Sequence, residues 1–330
     1  MTELSIEQAR EYLSRRISPE ESCEDLLDFP RFLEIETVNA CNARCPMCTI
    51  ADWQRNTPTM KDDLFLRIAD EIIDHRHEVK RVSLYRDGEP LLDKKLPARV
   101  ALLKDGGVGG TSISTNVSLL TEERSRALLE AGLDVIILSI DSLEKEIFES
   151  IRVRLDFEEV LENALKFIEL RDRIRPRTKI YMRMIRQEEN LDEWPSYEAY
   201  WRPKLSDHDK LYYHNIFNWG GQLDGFKPVA ASYEPALPCV ALWSLLVIFG
   251  DGRVPLCNVD YNNKYPTGSV LKHSIEDLWR SKIMDQRRQQ HLSGAKGLNP
   301  MCEHCNVWDE GQITNESISP DYSEQVALVG

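Results

Sequence analysis

The chain lacks any hydrophobic run long enough to cross a bilayer. Its longest apolar stretches, 242–249 and 135–138, fall far short of the ~20 residues a membrane helix needs. It also lacks an excess of positive charge: 41 Lys and Arg stand against 55 Asp and Glu, for a net charge of −14. Bulk association with nucleic acid or with an anionic membrane is therefore not expected. The first ten residues, MTELSIEQAR, contain neither a basic nor an apolar secretory segment, so a cytoplasmic chain is expected. No internal repeat and no low-complexity segment is present. What is present is ample core: 330 residues, 42% hydrophobic and 29% charged, enough for one large domain or two ordinary ones. That composition excludes intrinsic disorder and a disulfide-stapled miniprotein. Eight cysteines in a reducing compartment point to metal ligands or reactive thiols rather than disulfides.

Three regions follow from the pattern. Residues 1–30 form an acidic helical lead-in, with Ser18-Pro19-Glu20 as a helix start. From 31 to 225, strand-like segments at 32–38, 81–85, 110–115, 135–140, 179–185 and 210–216 alternate with amphipathic stretches at 62–77, 94–105, 122–131, 144–171 and 191–204. This is the signature of parallel βαβ units, which could close into a partial barrel or lie as an open sheet. In either case the chemistry collects at the C-terminal ends of the strands. Residues 226–330 are a second, smaller domain with a hairpin at LLVIFGDGRVPLC, one helix at SIEDLWRSKIMDQRRQQ and four cysteines.

The strongest chemical signal is Cys41-Asn-Ala-Arg-Cys45-Pro-Met-Cys48, directly after the first strand. Three thiolates on one short loop suit zinc or iron–sulfur. A [4Fe–4S] cube held by three cysteines leaves one iron open to another ligand. The bland alternative is a zinc site completed from a distance.

Here the sequence resembles the radical S-adenosylmethionine (SAM) superfamily, whose hallmark is CxxxCxxC after the first strand of a partial (β/α)6 barrel. The resemblance spans about 32–217. It implies that Cys41, Cys45 and Cys48 hold a [4Fe–4S] cluster whose open iron binds SAM, and that reductive cleavage gives a 5′-deoxyadenosyl radical. Met47 departs from the aromatic residue common beside the last cysteine. Asp87-Gly88-Glu89-Pro90 resembles the family's GGEP turn, with Asp87 a departure; Gly88 and Glu89 are implied at the methionine amino group. Ser114 and Asn116 in Ser-Thr-Asn, Ser139 and Asp141 in LSIDS, and Arg152 complete the implied SAM-binding set. A guanidinium at 152 would suit the methionine carboxylate, although a surface charge is the plain alternative. Met182 and Met184 are expected in the core.

Cys239, Cys257, Cys302 and Cys305 could saturate one zinc ion or one [4Fe–4S] cluster. His304, between the last two, is expected to be a bystander. The Cys–(17 residues)–Cys spacing followed by CxxC resembles the SPASM/twitch extensions of radical SAM enzymes. Four cysteines imply the abbreviated twitch layout, with one auxiliary [4Fe–4S] cluster, similar to members that dehydrogenate aminocyclitols. Two clusters in all are thus implied. Cys23 is expected to be inert, with hydrogen-atom donation to a substrate radical as the remote alternative.

A fully ligated second cluster has no place for substrate, so its natural role is to accept an electron. The expected reaction is oxidation of a secondary alcohol to a ketone on a small carbohydrate- or aminocyclitol-like molecule. Sugar epimerisation, dehydration and oxidative peptide modification stay open, as does a non-catalytic metal-binding module. Only 40 residues precede Cys41, fewer than the peptide-recognition domains of peptide-modifying members. His214, Asn215, Asn218, Trp219 and Gln222, with Asp260 and Tyr261, are candidate substrate contacts. A flavodoxin- or ferredoxin-like electron donor is the implied partner.

Overall fold

The computed structural model describes residues 5–56, 59–216, 218–223, 237–303 and 305. In chain order the elements begin with α1 (Ile6–Ile17), β1 (Phe32–Ile35), α2 (Asp62–Asp74), β2 (Arg81–Ser83), α3 (Leu96–Asp105) and β3 (Thr111–Thr115). There follow α4 (Glu122–Glu130), β4 (Val135–Ser139), α5 (Lys145–Ile151), α6 (Phe157–Ile174), β5 (Lys179–Arg186), α7 (Trp194–Trp201) and β6 (Lys210–Asn215). The C-terminal part holds α8 (Ala241–Ser244), β7 (Leu245–Ile248), β8 (Arg253–Val254), β9 (Gly268–Ser269), α9 (Ile275–Trp279), α10 (Lys282–Leu292) and α11 (Pro300–Glu303). None of the described helices is long and apolar enough to cross a membrane.

The chain forms two compact units, one of residues 35–216 and one combining 1–34 with 217–330. The expected divisions at 30/31 and 225/226 lie near these positions. The lead-in, however, is no separate region, since it folds with the C-terminal part.

In unit 35–216, strands β2 to β6 pair in parallel, each beside its predecessor, in the order β6-β5-β4-β3-β2. A doubly wound sheet would reverse direction at a switch point. Unbroken chain order, with α2 packing on α3, α3 on α4 and α4 on α6, is instead the winding of a βα barrel segment. The register Ser139↔Arg183↔Tyr212 places these side chains in a row across three strands. On the same face Ser83 and Ser112 share a hydroxyl–hydroxyl contact of 2.9 Å, and Val135, Ile137 and Tyr181 form an apolar cluster flanked by Tyr85 and Tyr212.

The expected helix at 144–171 is two helices, α5 and α6. The chain leaves the helix at Arg152, whose guanidinium is drawn to Asp141 at 2.6 Å. Arg154 then takes a left-handed φ of 77°, and Asp156 caps α6 by accepting the Glu159 N–H.

In the other unit, Ser18-Pro19-Glu20 ends a helix rather than starting one. Ser18 is the extended C-cap of α1, as a residue preceding proline prefers. The Gly252 turn forms with φ 84°, and Phe249 donates to the Arg253 carbonyl, but β8 then ladders with β9. The expected single helix at 274–290 breaks at Ser281, which caps α10. Helix α1 packs on α8 and α10, and the Trp279 indole donates to the Leu26 carbonyl at 3.0 Å.

A buried ion pair anchors the last two strands of the sheet. The Arg171 fork meets both Asp209 oxygens at 2.7 Å and also donates to the Thr178 carbonyl, while the Ile180 N–H donates to Asp209. Burial pushes the Asp209 carboxyl up, but Arg171, Ser206 and the Ile180 N–H outweigh it and hold it below the usual range. Asp209→Ala leaves the buried Arg171 fork with only the exposed Asp172 carboxylate as counter-charge, and leaves the Ile180 N–H without its acceptor, so urea unfolding should show a loss of about 3–5 kcal/mol. A lowered folded pKa gives stability that is present above the unfolded value of about 3.9. In the wild type that contribution should fade as pH falls through the folded value, and in the variant it should be missing throughout.

Candidate functional site

The three-cysteine loop has no regular structure of its own, so its shape comes from the strand ends around it. The Cys48 N–H donates to the Cys45 carbonyl at 3.0 Å, closing a turn between these two cysteines. The Arg44 N–H donates to the Val153 carbonyl, and the Glu89 N–H to the Ala40 carbonyl. The Asn42 amide donates to the Ser118 hydroxyl at 2.8 Å and accepts from the Asn116 amide at 2.9 Å. Gly88 permits the closest approach: a Cβ there would lie 2.6 Å from the Ala40 carbonyl oxygen and 2.7 Å from that of Val38.

Beneath the loop runs a buried charge network absent from the sequence expectations. Arg55 forks onto Glu36 at 2.5 and 2.7 Å and reaches Asp87 at 3.3 Å, while Arg86 meets Asp87 at 2.8 Å. Burial raises the Asp87 carboxyl pKa, with Arg86 and Arg55 opposing it. Asp87 thus ties the segment after the cysteines to the turn after β2. Its departure from a glycine motif was the one sequence signal for this network.

Glu89 is 2% exposed, and its carboxylate accepts the Leu91 N–H, the Thr115 hydroxyl and the Asn116 N–H at 2.7–3.1 Å. The side chain therefore staples the end of β3 to the turn, while Oε2, which takes only the Asn116 N–H, keeps a further acceptor site. Burial raises the Glu89 carboxyl pKa, with the three donors opposing it. Val117, next along, is held at φ 70°, a strained conformation for a β-branched residue.

Arg152 is buried rather than a surface charge. It pairs with Asp141, lies 3.9 Å from the Cys45 sulfur through Nη1, and its Nη2 has no hydrogen-bond partner among the described residues. Burial opposes its charge, but Asp141 and Cys45 outweigh that and keep it protonated. An orphaned guanidinium nitrogen beside a cysteine of the loop fits the carboxylate of a SAM bound there. Ser114 and Ser139 both accept from Arg183, at 3.1 and 2.6 Å. Arg183 was missed in the sequence; the cue was a cation in the middle of the otherwise apolar run IYMRMI. Met182 and Met184, on the opposite face, are fully buried core residues.

In the other unit Cys239, Cys257, Cys302 and Cys305 line one cavity, together with Leu242, Leu256, Val259, Met301 and His291. Four thiols from three chain segments in an apolar wall fit a fully ligated cluster. Burial pushes the Cys48 and Cys302 thiols up to about 12 and raises Cys41, Cys45, Cys239 and Cys257, so loading either site must displace protons. His291 is held neutral, its pKa lowered to about 3 by burial and then by Lys296, and its Nδ1 accepts the Cys239 N–H at 3.2 Å.

The candidate substrate residues do not form one set within a unit. His214 and Asn215 end β6, with Asn215 accepting from Arg186 and His214 edge-on to Tyr212. Trp219 and Tyr261 contact edge to face in the other unit, where Gln222 donates to the Trp219 and Val259 carbonyls. Asn218 starts the same turn, accepting the Gln222 N–H at its carbonyl. Tyr261 and Asp260 are fully buried, and Asp260 organises its own loop by accepting from the Leu256, Lys264 and Tyr265 N–H groups. That burial corrects both as substrate contacts. Cys23 lies in a separate small cavity with Arg10, Glu24, Trp243 and Arg288, and burial raises its thiol to about 11. His304 lies outside the described residues.

Gly88→Ala should displace the Ala40 carbonyl and with it the cysteine loop. Iron bound through Cys41, Cys45 and Cys48 should fall to the level of a Cys45→Ala variant while iron bound elsewhere is kept. Wild-type iron content in Gly88→Ala would show that the close approach is not needed.

Residues 35–195 match the family model of the radical SAM superfamily, and 239–306 match the SPASM model, an iron–sulfur cluster-binding domain. A tungsten-containing aldehyde ferredoxin oxidoreductase cofactor-modifying protein of Pyrococcus furiosus is 34% identical over 113 residues, 34% of this chain and 31% of that one. The chain thus spans about a third of that relative. The S-adenosyl-L-methionine-dependent 2-deoxy-scyllo-inosamine dehydrogenase of Niallia circulans is 23% identical over 278 residues, covering 83% of this chain and 92% of that one. The solved structure of BtrN in complex with AdoMet and 2-DOIA superposes with a TM-score of 0.56 at 21% identity, covering 84% and 92% of the two chains. With the cysteine loop at the strand ends and four further cysteines around one cavity, the chain belongs to the radical SAM superfamily and is an enzyme of that kind, with a C-terminal SPASM-type iron–sulfur domain.

Proposed function

We propose that the enzyme dehydrogenates a secondary alcohol of a small carbohydrate- or aminocyclitol-like substrate, using two [4Fe–4S] clusters. The observation that carries this reading is the cavity lined by four cysteines, which saturates a second cluster and leaves it only an electron to handle. Cys41, Cys45 and Cys48 would hold a cluster that, with SAM, would supply hydrogen-atom abstraction at the carbinol carbon, leaving the substrate one proton and one electron to lose on the way to the ketone.

The chain's own residues would divide the remaining work. Arg152, fixed by Asp141, would hold the methionine carboxylate through its orphaned Nη2. The turn around Gly88 would offer backbone carbonyls to the amino group. Arg183 would lock the Ser114 and Ser139 hydroxyls, so that ribose or substrate oxygens meet prearranged groups. A sheet face bearing Tyr85, Tyr181, Tyr212 and serine hydroxyls suits a polyol, with rings for C–H faces and hydroxyls for oxygens. The electron would leave the second cluster to a flavodoxin- or ferredoxin-like partner, which would also recharge the first.

Anaerobic reconstitution tests the reading. About eight irons are expected in the wild type and about four after Cys41, Cys45 and Cys48→Ala, since each cube holds four. Dithionite-driven 5′-deoxyadenosine should come only from the wild type. Cys257→Ala should still cleave SAM while losing ketone formation by at least tenfold. Zinc in the second site, or deuterium from solvent entering an otherwise unchanged substrate, would replace dehydrogenation with epimerisation.

Arg152→Lys removes the fork but keeps the charge. The KM for SAM should rise at least tenfold, with iron content unchanged. An unaltered KM would remove Arg152 from the SAM site.

A further inference from the structure

We infer that His291 donates a hydrogen bond to the cluster held by Cys239, Cys257, Cys302 and Cys305, and so sets how readily that cluster takes up an electron. The inference rests on the iron–sulfur reading of that site. His291 is 5% exposed and lines the same cavity as the four cysteines. Its Nδ1 accepts the Cys239 N–H at 3.2 Å. A ring nitrogen that accepts carries no proton, so the neutral imidazole bears its proton on Nε2. The backbone of a cysteine ligand thus fixes the histidine tautomer.

The other lining side chains are Leu242, Leu256, Val259 and Met301, which offer a donor no oxygen or nitrogen. Sulfur of the bound cluster is the acceptor such a wall provides. The ring is held in place as well. Arg288, three residues earlier on α10, donates to the Leu242 and Trp279 carbonyls at 2.8 and 2.9 Å and ties the helix down. A hydrogen bond to cluster sulfur stabilises the more negative reduced state above the oxidised one, which raises the potential. Such a cluster is a better acceptor for the electron a substrate radical gives up.

The test uses the full chain carrying Cys41, Cys45 and Cys48→Ala, so that the four-cysteine site is the one cluster observed. Its midpoint potential is measured by EPR-monitored redox titration in three further variants. His291→Gln keeps an amide N–H near the Nε2 position. His291→Asn keeps an acceptor for the Cys239 N–H but no donor at Nε2. His291→Phe keeps neither. The expected result is a negative shift in the Asn and Phe variants and a potential near that of the parent in the Gln variant. Equal potentials throughout overturn the inference, as does rescue by Asn and not by Gln, which would confine His291 to holding the Cys239 backbone. Loss of iron from all three variants overturns it too, because His291 would then be a ligand. A parent protein without iron marks failure of the iron–sulfur reading, and the inference falls with it.

Discussion

The three thiols of residues 41–48 must be aimed by a loop that has no ladder or helix to stiffen it. Everything at the core site depends on hydrogen bonds lent by neighbouring strand ends. Glu89 is the hinge of that arrangement, because its backbone N–H reaches Ala40 while its carboxylate reaches Thr115 and Asn116. Asn116 in turn holds Asn42 within the cysteine motif. A buried carboxylate satisfied by three donors is rigid because each lost bond would leave a polar group unpaired in low dielectric.

Positive charge is distributed with the same economy. Arg55, Arg152 and Arg171 are buried in unit 35–216, and each guanidinium is neutralised by a carboxylate. Two stand close to the cysteine loop and one far along the sheet at the β5–β6 start. The first two meet carboxylates that follow strands β1 and β4, so the strand ends supply the anions, while the cations come from the segment after the cysteine loop and from the C-terminal end of α5. In the other unit Arg287 and Lys296 act by charge on the four-cysteine site, while His291 supplies an oriented dipole. The two cysteine sites thus differ in their electrostatic surroundings as well as in ligand number.

The alternation of strands and helices was legible because buried parallel strands read as apolar runs and helices as 3.6-residue stripes. The cysteine motif was legible because its ligands are contiguous. Winding direction was not, since segment lengths are the same for an open sheet and a barrel segment. The break at Arg152 was hidden because 144–171 keeps helical periodicity on both sides, and the cause is a contact with Asp141, eleven residues back. Arg183 and His291 share a different obscurity. Each gains its meaning from partners on other elements, Ser114 and Ser139 for one and the Cys239 backbone for the other. Asp260 misled for the opposite reason: beside a cysteine it looked available, yet three local N–H groups occupy it.

The unit that joins residues 1–34 to 217–330 has a consequence for the order in which a ribosome could deliver this fold. The helix Ile6–Ile17 leaves the ribosome well before its packing partners, the helices Ala241–Ser244 and Lys282–Leu292. At roughly 5–20 residues per second, synthesis of the intervening stretch takes on the order of 10–50 s. The parallel sheet between them, built strand upon adjacent strand, can assemble as it emerges, whereas the leading helix must wait with Leu13 and Ile17 uncovered. The unit that carries the four-cysteine cavity is therefore the one that closes last.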